Sequence, residues 1–282
     1  MGRFGRGWAL TKESWAVVRN DRSLLVFPVV GGVCALLAAA VIMVPGAFAA
    51  ADASWVLIPF AVVALYVAIA IAQFCAVALA ACATKSLDGA DTTFSEGVTA
   101  ARERLGVILA WSGVQLVVGS LISALQVLLR DAGSGIAAAI VGGLANLAWT
   151  VATFFVVPLI ALEGLGPKAA ISRSAALIRE RWGEGVVGSA TIGGAVFLVG
   201  ILPGVGLAAL GIVLTDSAAA LGVALIVLGA CVVVLALLFQ ATLTAVFRVA
   251  LYRFATRGDV VGHFSEEQLG AAFRPKRGAA MV

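Results

Sequence analysis

Long apolar runs alternate with short charged phrases along this chain. Runs without a charged residue lie near 24–45, 54–83, 105–129, 136–162, 185–214 and 218–247. A helix crosses about 30 Å of hydrocarbon in about 20 apolar residues, so each run predicts a transmembrane helix. The second, fifth and sixth are longer, which predicts tilt or helix that projects beyond the hydrocarbon. Six spans would place both ends of the chain on the same side.

The charged phrases carry a pattern of their own. Phe94–Gly106 (FSEGVTAARERLG) aligns with Ile171–Gly183 (ISRSAALIRERWG) at an offset of 77, with Ser95, Arg102, Glu103, Arg104 and Gly106 repeated as Ser172, Arg179, Glu180, Arg181 and Gly183. Phe94, Val98, Ala101 and Leu105 match Ile171, Ala175, Ile178 and Trp182, one face of an α-helix in each copy. Each phrase therefore predicts a short amphipathic helix that turns into the next span near its glycine, where the absent side chain eases a bend. Thr93 and Glu96 are spaced as a capping box for the first. Gly166 and Pro167 suit the start of the second.

Looser versions stand at both ends. Trp8, Trp15 and Val18 share a face ahead of the first span, and Ala83-Thr84-Lys85 with Phe94-Ser95-Glu96 is echoed by Ala255-Thr256-Arg257 with Phe264-Ser265-Glu266. The expected organisation is all-α and integral to the membrane. It has three amphipathic-helix-plus-hairpin units (1–83, 84–162 and 163–254) and a last amphipathic helix and tail at 255–282. Two spans per unit relate successive units by rotation about the membrane normal, predicting a pseudo-threefold bundle with a cytoplasmic collar of surface helices.

The opening GRGWALTKESWAVVRNDRSLLVFPVVGG, the six-span layout and FSEGVTAARERLG together resemble an uncharacterised prokaryotic membrane family, the domain of unknown function 6159. The alternation of surface and spanning helices is also similar to the membrane domains of glycerophosphodiester phosphodiesterases, without their catalytic domain. Neither resemblance implies a catalytic, ligand or cofactor residue.

Composition agrees with the pattern: 62% hydrophobic, 12% charged and a mean hydropathy of +1.10 are far from those of a soluble domain. Charge then orients the chain. Of 19 Lys and Arg, all but Arg130 fall in the terminal segments, the two long connections or the end of the last span. Basic residues flanking spans stay cytoplasmic, so both ends are expected on the cytoplasmic side of a bacterial plasma membrane. The net charge of +4 reads as attraction to anionic lipid at that face, not to nucleic acid. The first apolar run is too long for a cleaved signal peptide. Cys34, Cys75, Cys82 and Cys231 all fall in spans, with no disulfide or metal spacing.

Little in the sequence asks for chemistry. His263 has no second His or Cys near it, no phosphate-binding glycine loop is present, and the acids sit among arginines where solvated ion pairs form. No catalytic, cofactor or metal residue is expected, and no enzymatic activity. Within the limits of the six runs no charged residue occurs, unlike an ion-coupled carrier. The polar residues there are Gln73, Gln115, Asn146 and Gln240, with Ser and Thr; they either bond across helices or line a narrow path. The fifth run is the most irregular, with Gly193, Gly194, Gly200, Pro203, Gly204 and Gly206, and Pro203 is placed to end its crossing portion. The favoured reading is a non-catalytic scaffold or lipid-interacting protein whose Arg102, Arg104, Arg179 and Arg181 meet anionic lipid. A passive channel for a small neutral solute or lipid is the alternative. Partners would be membrane lipids, further copies or other membrane proteins.

Overall fold

The computed structural model describes residues 14–15, 17–19, 21–49, 54–181, 193–194, 196–215 and 217–259. No strand occurs among them. Six segments are long and apolar enough to cross a membrane: Ser23–Ala49, Leu57–Leu87, Leu105–Asp131, Gly135–Glu163, Phe197–Leu214 and Ala219–Arg257. Each of the six runs read from the sequence contains one of them or most of one. The sixth helix continues ten residues beyond the predicted limit.

The described chain forms two compact units. The first comprises Val26–Lys85 and Asp91–Arg181. Its opening hairpin pairs α1 (Val26–Ala49) with α2 (Leu57–Leu87). Gly31 lies so close to Cys75 that a methyl there would stand 3.0 Å from Sγ, and Gly46 faces the Phe60 ring. The amphipathic α3 (Phe94–Glu103) follows and packs back on that hairpin. Phe94 meets Phe27 with ring centroids 5.0 Å apart, and Gly97 is wedged between Phe27 and Cys82. The buried face of α3 is thus Gly97 and Ala101 with Phe94 beside them, while Leu105 is exposed. It is turned slightly from the face that hydrophobic spacing picks out, because glycine lets backbone approach where Val98 could not.

The bend into α4 (Leu105–Asp131) falls at Arg104, not at Gly106. Arg104 leaves helical geometry (φ −106°, ψ 10°), and its N–H bonds back to Ala101 in a tightened last turn. That turn needs no missing side chain, and Gly106 lies inside α4 with open space around it.

After α4 the chain returns as α5 (Gly135–Ala152), breaks at residues 153–155, and resumes as α6 (Val156–Glu163). Pro158 explains the break: it has no N–H, and its ring collides with the carbonyl four residues back, at Phe154. The amphipathic α7 (Pro167–Arg181) then packs against the hairpin it follows. Ser174, fully buried, accepts a hydrogen bond from the Phe155 N–H at 3.1 Å and so satisfies the backbone that the break exposes.

The second unit draws on Met1–Leu25, Ser86–Ala90 and Trp182–Val282. Its hairpin is built from α8 (Leu202–Leu214) and α9 (Ala219–Arg257). A widened π-turn at Phe197–Ile201 precedes α8, with the Leu202 N–H reaching Phe197 O. This turn surrounds Val199, the residue whose carbonyl Pro203 would strike. The helix therefore runs on through Pro203 to Leu214, and Pro203 does not end the crossing. At about 1.5 Å per residue the 39 residues of α9 extend about 58 Å, well beyond the hydrocarbon.

A common burial pattern runs through the three hairpins. The C-terminal part of each returning strand of helix is buried over several successive residues: 77–80 and 82–83 in α2, 154–156 and 158–160 around the start of α6, 246–247 and 249–252 in α9. The leading helices are covered only at scattered points, such as Phe27, Trp111 and Gly204.

Candidate functional site

The polar residues within the first unit gather around a tryptophan pair. Trp111 of α4 is buried and stacks on Trp149 of α5, with ring centroids 5.9 Å apart and planes 23° from parallel. Its indole N–H donates to Gln73 Oε1 of α2 at 3.2 Å. Gln115 is half-buried one turn beyond Trp111, and Asn146 lies about one turn before Trp149, exposed, with its amide donating to Gly142 O of its own helix at 2.9 Å. Gln73 is thus the predicted amide that bonds across helices, and Asn146 bonds within its own. Gln240, in the second unit, faces Gly193, where a methyl would stand 3.3 Å from Nε2.

Cationic residues sit on the amphipathic helices. Arg102 on α3 is exposed, as are Lys168, Arg173 and Arg179 on α7. Arg104 is not: it is half-buried, and its guanidinium covers Gly164, where a methyl would lie 2.7 Å from Nη1. Gly164 closes α6 in the left-handed conformation (φ 65°), so the cation of Arg104 stands at the electronegative end of that helix. The side chain of Arg181, His263 and the C-terminal phrase Phe264–Arg274 lie outside the described residues.

Ion pairs stand at the helix ends. Thr93 caps α3, accepting from the Glu96 N–H at 3.3 Å and donating to the Glu96 carboxylate at 3.1 Å. The same carboxylate holds Lys85 at 2.7 Å. In the second unit, Arg253 of α9 is 12% exposed and binds Asp88 at 2.7 Å, with Asp259 at 3.8 Å. Arg248 lies one and a half turns earlier on the same helix, half-buried. Both arginines were outside the predicted sixth run; the readable signal was the absence of any helix-breaking residue between Gln240 and Gly258, which closes α9 at φ 74°.

Among the described residues no three of His, Cys, Asp and Glu lie close enough together to hold a metal ion. None of the four cysteines is in a disulfide; Cys34 and Cys231 are exposed and Cys82 is buried. The geometry thus shows a tryptophan stack within one hairpin, hydrogen-bonded to Gln73 of α2, and exposed cations on α3 and α7.

No curated protein matches the sequence. A family described as a family of unknown function, DUF6159, matches residues 50–262, which include FSEGVTAARERLG but not the Trp-rich opening. That match covers about three quarters of the chain, and the protein belongs to this family.

Proposed function

We propose that this protein is a non-catalytic scaffold of a bacterial plasma membrane, built from three amphipathic-helix-plus-hairpin modules, whose surface helices bind anionic lipid at the cytoplasmic face. The observation that carries this reading is the exposed set Arg102, Lys168, Arg173 and Arg179 on α3, which lies between two spans, and α7, which follows the fourth. Each such cation contributes about 1 kcal/mol near an anionic surface, so four together are a substantial attraction that salt weakens. Both chain ends are cytoplasmic on this reading, and the interacting partners are lipids and other membrane proteins.

The test is charge reversal. With Arg102, Arg173 and Arg179 changed to Glu, the protein inserts as before but co-purifies with several-fold less anionic lipid, and raised salt gives the same loss in the unaltered protein. Unchanged lipid content sinks the proposal. Arg104 is left in place because it covers the end of α6.

One arrangement favours a second reading, a passive path for a small neutral solute. Gln73, Gln115 and Asn146 all lie within about a turn of the Trp111–Trp149 pair. Solute flux in proteoliposomes that Gln115→Leu abolishes would replace the scaffold proposal by this one.

A further inference from the structure

The amphipathic helices keep a rule of pairing. In the first unit each packs on the hairpin that precedes it in sequence: α3 on α1 and α2, α7 on the hairpin of α4 to α6. The seat in both cases takes a small buried residue followed four positions later by another buried one, Gly97 with Ala101 and Ser174 with Ile178. Gly97 has no room for a larger side chain beside Phe27 and Cys82. The same rule asks for a helix on the third hairpin.

Two segments are candidates. The C-terminal phrase comes next in sequence, but placing Phe264 on Phe94 puts Glu267 where Gly97 stands, and a glutamate does not fit such a seat. The N-terminal helical residues meet every condition. Ser14 and Val18 are small and apolar, four apart, and both 0% exposed. Ser14 precedes the turn at Arg22 by eight residues, as Gly97 precedes the start of α4 at Leu105 by eight. Trp15 packs on Phe239 of α9 with ring centroids 5.0 Å apart, and the turn Arg22–Leu25 also lies against α9.

We propose that the N-terminal helix acts as the latch of the third hairpin, so that the module at the start of the chain closes the module at its end within one molecule. Pairing is cyclic in sequence order: each hairpin is closed by the surface helix of the next module, and the last by that of the first. The phrase Phe264–Arg274 is then surplus to the seats. This rests on the three-module reading above and not on the lipid reading, whose test uses other residues and another readout.

The experiment uses the full chain with Cys34, Cys75, Cys82 and Cys231 changed to Ala, and with Trp15→Cys and Phe239→Cys. In oxidised proteoliposomes an intramolecular disulfide forms, with a yield independent of protein density in the membrane. Ser14→Leu, which cannot enter a close-packed seat, lowers that yield by about threefold or more. Deleting Phe264–Val282 leaves it unchanged. A disulfide chiefly between two chains, a yield indifferent to Ser14→Leu, or its loss on deleting the tail each overturns the proposal. A permuted chain running from Ser23 to Gly258, then a short flexible linker and residues 1–22, retains the disulfide if the latch is right and loses it if the helix must precede the first hairpin.

Discussion

The hairpin of α4 to α6 and the hairpin of α8 and α9 solve the same problem with opposite materials. In the former, bulky rings mediate contact: Trp111 stacks on Trp149 and donates a hydrogen bond to Gln73. In the latter, backbone meets backbone. A methyl on Gly204 would stand 2.9 Å from Gly229 O, one on Gly211 2.6 Å from Gly222 O, and one on Gly222 2.8 Å from Gly211 O. Within hydrocarbon there is no water to drive helices together, so attraction comes from dispersion and polar contacts. Large polarisable rings and close backbone approach are two ways to raise it. The first tolerates a shift of helix position because side chains adjust; the second does not, since backbone atoms have no rotamers.

Four substitutions probe that contrast. Trp111→Ala is expected to have the largest effect, about 3–5 kcal/mol by the cost of emptying a large buried site, read as a lowered thermal unfolding midpoint in detergent. A drop no greater than that of Trp55→Ala, an exposed ring, would show that the stack is incidental. Gly222→Val comes next, at about 1–3 kcal/mol or more for forcing two backbones apart. Gly143→Val, where a side chain meets open space, serves as its control, and equal effects would remove the distinction between the hairpins. Gln73→Leu should cost roughly 0.6–2 kcal/mol through the lost indole hydrogen bond, accompanied by a shift in tryptophan fluorescence. The smallest is Ser14→Ala. Its buried hydroxyl has no hydrogen-bond partner among the described residues, so removing it leaves stability within about 0.5 kcal/mol or raises it.

Hydropathy made the six crossings readable because each is long, uncharged and bounded by polar phrases, and spacing alone placed the Thr93–Glu96 cap. Continuity was harder to see. The fifth run drew notice for its glycines, yet there the helix passes Pro203 by widening one turn, whereas the fourth run breaks outright at residues 153–155. The two prolines have the same local chemistry. What differs is supply: Ser174 is at hand to take the N–H of Phe155, and that pairing joins residues 19 apart in sequence, invisible to a window of local hydrophobicity. For the candidate site, the types of polar residue were legible but not their use. Arg102 and Arg104 are near neighbours in one phrase, and only the fold sends the first outward and lays the second over Gly164.

The hydrogen bond from Phe155 to Ser174 also has a bearing on biogenesis. The fourth crossing is synthesised before the helix that completes it. Until some twenty further residues have emerged and α7 has folded back, the Ser174 hydroxyl is not in place to accept from the Phe155 amide. Stable lodging of that crossing thus waits on a later stretch of polypeptide, which makes the second hairpin and α7 a single unit of insertion. A ribosome stalled between the two would leave the fourth crossing prone to slip back out of the bilayer.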